Sequence, residues 1–472
     1  MDSVFVMPGT VAAPRGGILR DPHNRYETVR EALSRIDKAA RDMGLPNIST
    51  RLIEHNDTSD RRGPEVQYLE IFAVSIATHH MLVAEGVEPV AIVGQSIGEL
   101  WALAAAGHLS VEDAARLAVA RSEVLTRRGW DGKMLAVGVD GRRAESLAGL
   151  MNHPNLVLAC ENAPRQSVIS GPKQLIEQVE RVADAFGWPS LPLDVPHPTH
   201  TPAMAGAARD LRASAPRVPY GAGRWRVRSP WMGRDVADDD PVDLVAGALT
   251  ARVRMLHTIR ELHAAGADAF VECGEWAVVT KFVEASIPGV RCVVPLSERD
   301  PVETVRALAA ESAELGPPRP RPVRLSERAS APVPAPPARA TVPAPSAPKP
   351  YVAPEAPAPD APVETALVET APAPDAPADS AVSDGLTYET VLATLQTLYG
   401  DFLGYPPDLL GEDDGLESEL GVESLKQVVL LGRVSDQFEL PDLRSNSSLL
   451  SVGTLRRIAE SVVAGRAEAA GR

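Results

Sequence analysis

Cysteine is scarce: three occur in 472 residues, and Cys160, Cys273 and Cys292 form no C-x-x-C pair. Disulfide staples and a cysteine-built metal site are therefore not expected, no other metal ligand set stands out, and a reducing cytoplasm suits the chain. Positive charge is also in deficit, with 47 Lys and Arg against 63 Asp and Glu and a formal net charge of −16. Nucleic acid needs clustered cations to neutralise its phosphates, so it is not an expected partner. The N-terminal stretch Met-Asp-Ser-Val-Phe-Val-Met-Pro-Gly has no basic region and an apolar run of four residues. Neither a secretion signal nor a membrane span follows from it, and the expected location is cytoplasmic.

Proline, by contrast, is abundant and uneven. Of 43 prolines, 19 fall between Pro317 and Pro377, interleaved with Ala, Val, Thr, Glu and Asp. Such a composition cannot bury enough apolar surface to offset its chain entropy, so 315–385 is expected to be a disordered, partly polyproline tether. Its reach would lie between ~45 and ~190 Å, from the coil and extended limits. At this length the chain should hold two or three domains, with boundaries at 1–314, 315–385 and 386–465.

Upstream of the tether, strands alternate with helices. Ser3–Met7 reads as a strand, Glu65–Glu85 as a helix with apolar positions at Leu69, Phe72, Ala73, Ile76 and Ala77, and a further strand ends at Val93. Helices follow over Leu100–Gly107 and Val111–Thr126, the pattern of an α/β domain with a mostly parallel sheet. Between Gly132 and about Pro196 the order becomes βαββαβ, which predicts a ferredoxin-like subdomain inserted in the larger one. The large domain resumes with a helix near Val253–Ala265 and a strand at Ala269–Cys273. Beyond the tether the apolar spacing is helical: Val391, Leu395, Leu398 and Phe402 share one face, Leu425, Val428 and Val429 another, and Leu455, Ile458 and Val462 mark a last helix.

Two serines sit in contexts that ask for opposite chemistry. Ser96 lies in V-G-Q-S-I-G-E (93–99), directly after the apolar run 89–93. A strand running into G-x-S-x-G and then a helix is the geometry that exposes a serine hydroxyl as a nucleophile. Such a serine needs a base. Of ten histidines, His79 and His80 read as packed or surface residues of an apolar helix, whereas His200 stands out in H-P-T-H-T-P-A-M (197–204). Ser424 lies in E-L-G-V-E-S-L-K (419–426), where it would start an amphipathic helix. The plain alternatives are a strand-to-helix turn at Ser96 and a helix N-cap at Ser424.

Taken together, residues 1–310 resemble the malonyl-CoA:carrier-protein acyltransferase family, including polyketide synthase acyltransferase domains. The resemblance rests on Gly94-Gln95-Ser96-Ile97-Gly98-Glu99, on Arg121 25 residues after the serine, on Asn162-Ala163-Pro164 with Val168-Ile169-Ser170-Gly171, on His200-Thr201-Pro202-Ala203-Met204, and on Phe270-Val271-Glu272-Cys273-Gly274. It implies that Ser96 is the nucleophile and that His200 is general base and acid, oriented by backbone carbonyls rather than by a carboxylate. Arg121 would clamp the free carboxylate of a malonyl-type acyl group through a bidentate pair. Oxyanion donors would be the backbone N–H groups of Ile97 and of the loop near Thr10, and Gln95, Asn162 and Thr199 would complete the substrate-binding set. The chain departs from the family at Thr10-Val11, at Gln95 in place of the usual histidine, and at Gly274-Glu275-Trp276-Ala277 in place of G-P-x-P. Where the family typically has H-A-F-H for malonyl and Y-A-S-H for methylmalonyl substrates, this chain has His197-Pro198-Thr199-His200, so malonyl, methylmalonyl and a polar 2-substituted group all stay open.

Residues 386–465 resemble acyl carrier proteins, with Leu420-Gly421-Val422-Glu423-Ser424-Leu425 at the attachment motif. That resemblance implies covalent 4′-phosphopantetheine on Ser424, and Glu412, Asp413, Asp414, Glu417, Glu419 and Glu423 would give an acidic face suited to basic partner surfaces. The fold class expected is α/β: an α/β-hydrolase-like acyltransferase core with the inserted ferredoxin-like subdomain at about 132–196, plus a C-terminal all-α carrier bundle. The function implied is transfer of a malonyl-type group from acyl-CoA through Ser96 to a carrier, its own or a partner's, in polyketide or hybrid biosynthesis. Partners would be acyl-CoA, a ketosynthase or other synthase modules, and a phosphopantetheinyl transferase. The rival readings are an acyl-thioester hydrolase, which has little use for Arg121, and a non-catalytic carrier or docking protein, against which Ser96, His200 and Arg121 stand together.

Overall fold

The computed structural model describes residues 1–10, 12–54, 63–193, 195, 197–314, 387–403, 410–413, 416, 424–438 and 454–470. The tether expected at 315–385 and the acidic residues Asp414, Glu417, Glu419 and Glu423 lie outside the described residues.

The chain opens with strand β1 (Ser3–Met7), then helices α1 (Arg20–Arg25), α2 (Glu27–Asp42), α3 (Ser49–Ile53) and α4 (Pro64–Ala84). Strand β2 (Ala91–Gly94) leads into α5 (Gly98–Ala106) and α6 (Val111–Arg128). The next block is β3 (Gly132–Val137), α7 (Gly141–Gly149), β4 (Val157–Ala163), β5 (Gln166–Pro172), α8 (Lys173–Ala185) and β6 (Ser190–Leu193). After it come α9 (Ala205–Ser214), β7 (Val227–Ser229), β8 (Arg234–Asp235), α10 (Pro241–Ala248), α11 (Met255–Ala264), β9 (Ala269–Glu272), α12 (Val279–Ser286), β10 (Arg291–Val293) and α13 (Pro301–Glu314). Three helices end the described chain: α14 (Tyr388–Leu403), α15 (Ser424–Gln437) and α16 (Leu455–Ala470).

The main sheet has the order β10-β9-β1-β2-β7-β8, parallel except for the β7–β8 pair. β1 is buried along its whole length, as a strand covered on both faces must be. Its side chains alternate between two cores: Phe5 and Met7 join the cluster that holds α2, α4, α5 and α6, while Val4 and Val6 join the one that holds α11 and α12. α5 is buried at every position, and Trp101 stacks on Phe72 of α4 at 4.7 Å between ring centroids. This helix follows the serine turn directly, so the turn is anchored in a fully buried element.

The second sheet is antiparallel, with the order β4-β5-β3-β6. One face, with Leu135, Val137, Leu158 and Ile169, packs on α7 and α8. The other, with Met134, Ala136, Ala159 and Val168, shares a core with β1, β2 and β9. The expected βαββαβ order over this stretch is the one present. Helices α1, α2, α3, α9, α10, α12 and α13 and strands β7, β8 and β10 lie outside what the sequence pattern predicts.

The C-terminal helices have their own core, built from Val391, Leu395, Tyr399, Leu430, Leu431, Val434, Leu455, Ile458 and Val462 among others. The expected positions Phe402, Leu425, Val428 and Val429 have no described side chains. Glu412 and Asp413 are engaged by Arg456, at 2.7 and 2.6 Å, and Tyr388 donates to Glu412 at 2.8 Å. Glu412 therefore ties α14 to α16, and Asp413 adds a second partner for Arg456. Among the described residues no helix is long and apolar enough to cross a membrane.

Candidate active site

The serine turn is dictated by sterics. A Cβ placed on Gly94 would come within 2.2 Å of the Glu99 amide nitrogen and the Gly98 carbonyl. One placed on Gly98 would come within 2.4 Å of the Met7 carbonyl oxygen and 2.5 Å of that of Pro8. Only glycine fits either position, which is why the motif reads G-x-S-x-G. Between them Ser96 adopts φ 56°, a left-handed conformation that a non-glycine residue holds only when its surroundings enforce it. The result is a hydroxyl aimed away from the sheet.

His200 meets it. Ser96 Oγ lies 2.7 Å from His200 Nε2, and His200 Nδ1 lies 2.7 Å from the carbonyl oxygen of Ala248 and 3.1 Å from that of Ala251. Carbonyl oxygens only accept, so the imidazole proton sits on Nδ1 and Nε2 is left as the acceptor for the serine hydroxyl. Ala248 is the last residue of α10, so the negative end of that helix holds the ring. His200 has φ 61° and is 3% exposed. Burial, aided by the Arg121 charge, pushes its pKa down to about 4, which keeps the ring neutral at pH 7.

Arg121, on α6, lines the same pocket as Ser96, Ile97, Glu99 and His200, together with the aliphatic Leu100, Leu103, Leu244, Val245 and Leu249. Its guanidinium is buried 5.6 Å above the Tyr68 ring, and its Nη1 has no hydrogen-bond partner among the described residues. A buried cation with an unspent donor is costly unless an anion joins it. Glu99 does not supply that anion, because burial raises its pKa to about 8 and leaves it protonated at pH 7. The pocket is therefore positive, and chemically suited to a small anion such as a carboxylate.

The remaining expected positions divide. The Ile97 N–H, just after Ser96, makes no hydrogen bond to the described residues. Thr10 follows Gly9, where an added Cβ would lie 2.6 Å from the Gln95 carbonyl oxygen, 2.9 Å from Gln95 Oε1 and 3.3 Å from Ser96 Cβ. That brings the N-terminal loop and Gln95 against the serine. Thr199 and Asn162 are buried, but neither lines the pocket, and Asn162 Oδ1 has no partner among the described residues. His197 also lies outside the pocket lining, 3.2 Å from Thr126 Oγ1, with its pKa pushed down to about 4 by burial and, less, by the Arg121 charge. Ser424 is the first residue of α15.

Sequence reasoning missed Glu99 as a pocket residue and all of the α10 contribution. The motif did contain Glu99. Nothing in the sequence marks a backbone carbonyl as a histidine's partner, since every residue has one.

Residues 24–311 match the acyl transferase domain family and residues 393–462 match the phosphopantetheine attachment site family. Among relatives, the spectinabilin polyketide synthase system protein NorA′ of Streptomyces orinoci is 30% identical over 61% of this chain and 8% of its own length. Erythronolide synthase EryA3 of Saccharopolyspora erythraea is 32% identical over 49% of this chain and 8% of its own length. The chain thus spans a small part of these relatives. Among solved structures, the acyltransferase domain from module 8 of the salinomycin polyketide synthase has TM-score 0.59 and 23% identity, over 65% of this chain and 74% of that one. The acyl-carrier-protein S-malonyltransferase of Bartonella henselae has TM-score 0.59 and 22% identity, over 66% of this chain and all of the other. These two share the fold of the N-terminal part. Because the acyl transferase match covers more than half of its length, the chain belongs to the acyl transferase domain family, with a phosphopantetheine attachment site joined to it.

Proposed function

We propose that the chain takes a malonyl-type acyl group from CoA onto Ser96 and passes it to a phosphopantetheine carrier, its own or a partner's, in polyketide or hybrid biosynthesis. The observation that carries this reading is one pocket holding a 2.7 Å Ser96–His200 contact beside a buried arginine with an unspent donor. In the first step His200 Nε2 accepts the Ser96 proton while Oγ attacks the thioester carbonyl. The oxyanion so formed is held by the Ile97 N–H and a backbone N–H of the Thr10 loop. Collapse expels the CoA thiolate, which takes the proton from His200, and an acyl-serine remains. Throughout, Arg121 grips the distal carboxylate and keeps the carbonyl over Oγ.

Ser424 is the residue proposed to hold the cofactor, and the N-terminus of a fourteen-residue helix suits a phosphodiester. When bound there, 4′-phosphopantetheine supplies the thiol that accepts the acyl group. Further parts of this reading are domain limits of 1–314 and 386–465, an α/β-hydrolase-like core, and a ferredoxin-like insert whose strand order β4-β5-β3-β6 supports that description. A cytoplasmic setting, a phosphopantetheinyl transferase and a ketosynthase or other synthase module complete it. One solved structure similar to this chain, with TM-score 0.58 and 20% identity, is titled as a malonyl-transacylase in complex with its carrier protein.

Incubating the pantetheinylated protein with a panel of acyl-CoAs, followed by intact-mass analysis of each half, tests the reading. Malonyl-type mass should appear on Ser96 and on the carrier. Ser96→Ala should abolish both, and His200→Ala should slow transfer by ~10²–10⁴-fold. Rapid release of free acid in place of transfer would instead favour a hydrolase.

A further inference from the structure

β1 and β9 run side by side, with Val6 opposite Glu272 and the Cys273 N–H bonded to the Val6 carbonyl at 2.9 Å. Their C-terminal loops consequently leave the sheet together, next to the serine turn. Here the second loop holds the first. Glu275 is 3% exposed, and its carboxylate accepts the backbone N–H of Arg15 at 2.8 Å as well as the Arg15 Nε–H. The Arg15 guanidinium lies 5.6 Å above the Trp276 ring. Closer to the nucleophile, a Cβ on Gly274 would lie 3.0 Å from Pro8 Cγ, so the β9 loop touches Pro8 from one side. Gly98 touches the Pro8 carbonyl from the other, and Gly9 abuts Gln95 and Ser96.

We propose that Glu275 is a positioning residue for acyl transfer, which by gripping the Arg15 backbone fixes the Pro8–Thr10 stretch against the Ser96 turn. The inference rests on the reading of Ser96 as nucleophile and of the Thr10 loop as a source of an oxyanion donor. A surface ion pair alone would have little effect, since the Arg15 side chain is 57% exposed. The grip on a main-chain N–H is different, because it constrains the path of the loop itself. Gly274, next to Glu275 in the same loop, touches Pro8, so releasing the grip frees the β9 loop to shift Pro8 and with it the amides beside Ser96. An oxyanion donor acts only as charge develops, so its misplacement slows the chemical step without weakening substrate binding.

The experiment is single-turnover acylation of Ser96 in the full chain by malonyl-CoA, across a range of concentrations, with thermal denaturation measured in parallel. Glu275→Ala should lower the maximal rate ~10–100-fold and leave the half-saturating malonyl-CoA concentration within about twofold of wild type. Glu275→Gln keeps an oxygen that can accept the Arg15 N–H and should recover the rate to within about threefold. If Glu275→Ala does not fold, Glu275→Asp, one methylene shorter, carries the same test and should lower the maximal rate in the same way. A lowered melting temperature with an unchanged maximal rate would leave Glu275 as scaffold only and overturn the proposal. So would a rise in the half-saturating concentration alone, or a Gln variant as slow as the Ala variant. Absence of acylation in the unmodified chain would sink the acyltransferase reading itself, and this inference with it.

Discussion

At Arg121 the structure sets a costly charge where a substrate can relieve it. The guanidinium is buried beside an aromatic ring, with Nη1 unspent among the described residues and the neighbouring carboxyl of Glu99 held neutral. Arg121→Ala should therefore penalise malonyl-type donors far more than acetyl-CoA, because only the former bring a carboxylate. Loss of a bidentate charged pair in a desolvated site should cost about 2–5 kcal/mol in kcat/KM. Equal loss for malonyl and acetyl donors would make Arg121 a structural residue. Glu99 yields a pH prediction with a definite sign. Its pKa is about 8 in the fold against 4.5 for the free group, so the folded state holds a proton that the unfolded state gives up. The contribution to stability is full below about pH 4.5 and is lost as pH rises toward 8. Relative to Glu99→Gln, wild type should thus lose stability between pH 5 and 8.5, read as the difference in urea midpoints at the two pH values. Parallel midpoints would mean that Glu99 is solvated, and the pocket less positive than argued.

Elements decide which of these residues can meet. The serine turn is legible in the sequence because its steric demands fall on two glycines that no other residue could replace. Gly94→Ala would drive a methyl into backbone atoms at 2.2 Å, and nothing flexible lies there to yield. The variant should lose at least the ~1–3 kcal/mol usual for overpacking, and its acylation should fall even where it stays folded. A folded variant with full acylation would show that the turn tolerates a shift. Strand β1 is equally legible, as a short apolar run feeding a Pro-Gly loop. α2 has apolar spacing at Val29, Ala32, Leu33, Ile36 and Ala40, but no motif anchors it. α10 is illegible as part of the site, because it contributes the Ala248 carbonyl and aliphatic pocket walls rather than a distinctive side chain. Glu275 is harder still, since its partner Arg15 is 260 positions away. Thr199 misleads in the other direction. Motif position puts it next to His200, yet it is buried outside the pocket that His200 and Arg121 line.

For the molecule as a whole, the described residues fall into cores that can be separated along the sequence. The clusters of the N-terminal part draw only on residues up to Leu308, and the helices α14 to α16 bury Tyr399, Leu430, Leu455 and Ile458 among themselves. Among the described residues no buried apolar cluster draws on both parts, so chains cut to 1–314 and 387–472 should each fold, with cooperative melting of the first and helical circular dichroism from the second. A phosphopantetheinyl transferase should then modify the smaller piece at Ser424 alone, since Ser424 opens α15 and a helix N-terminus favours an incoming phosphate. Mixed together, the pieces should still pass the acyl group from Ser96 to the carrier. At micromolar concentration the rate should be lower than in the joined chain, because covalent joining raises the effective concentration of each piece at the other, at most into the millimolar range. Raising the carrier piece toward that range should restore the rate, which a titration of the smaller piece against malonyl-loaded 1–314 would measure. Failure of either piece to fold, or no transfer at any concentration reached, would refute the independence of the two parts. Restoration at low micromolar carrier would instead point to a docking affinity strong enough to make the covalent connection dispensable.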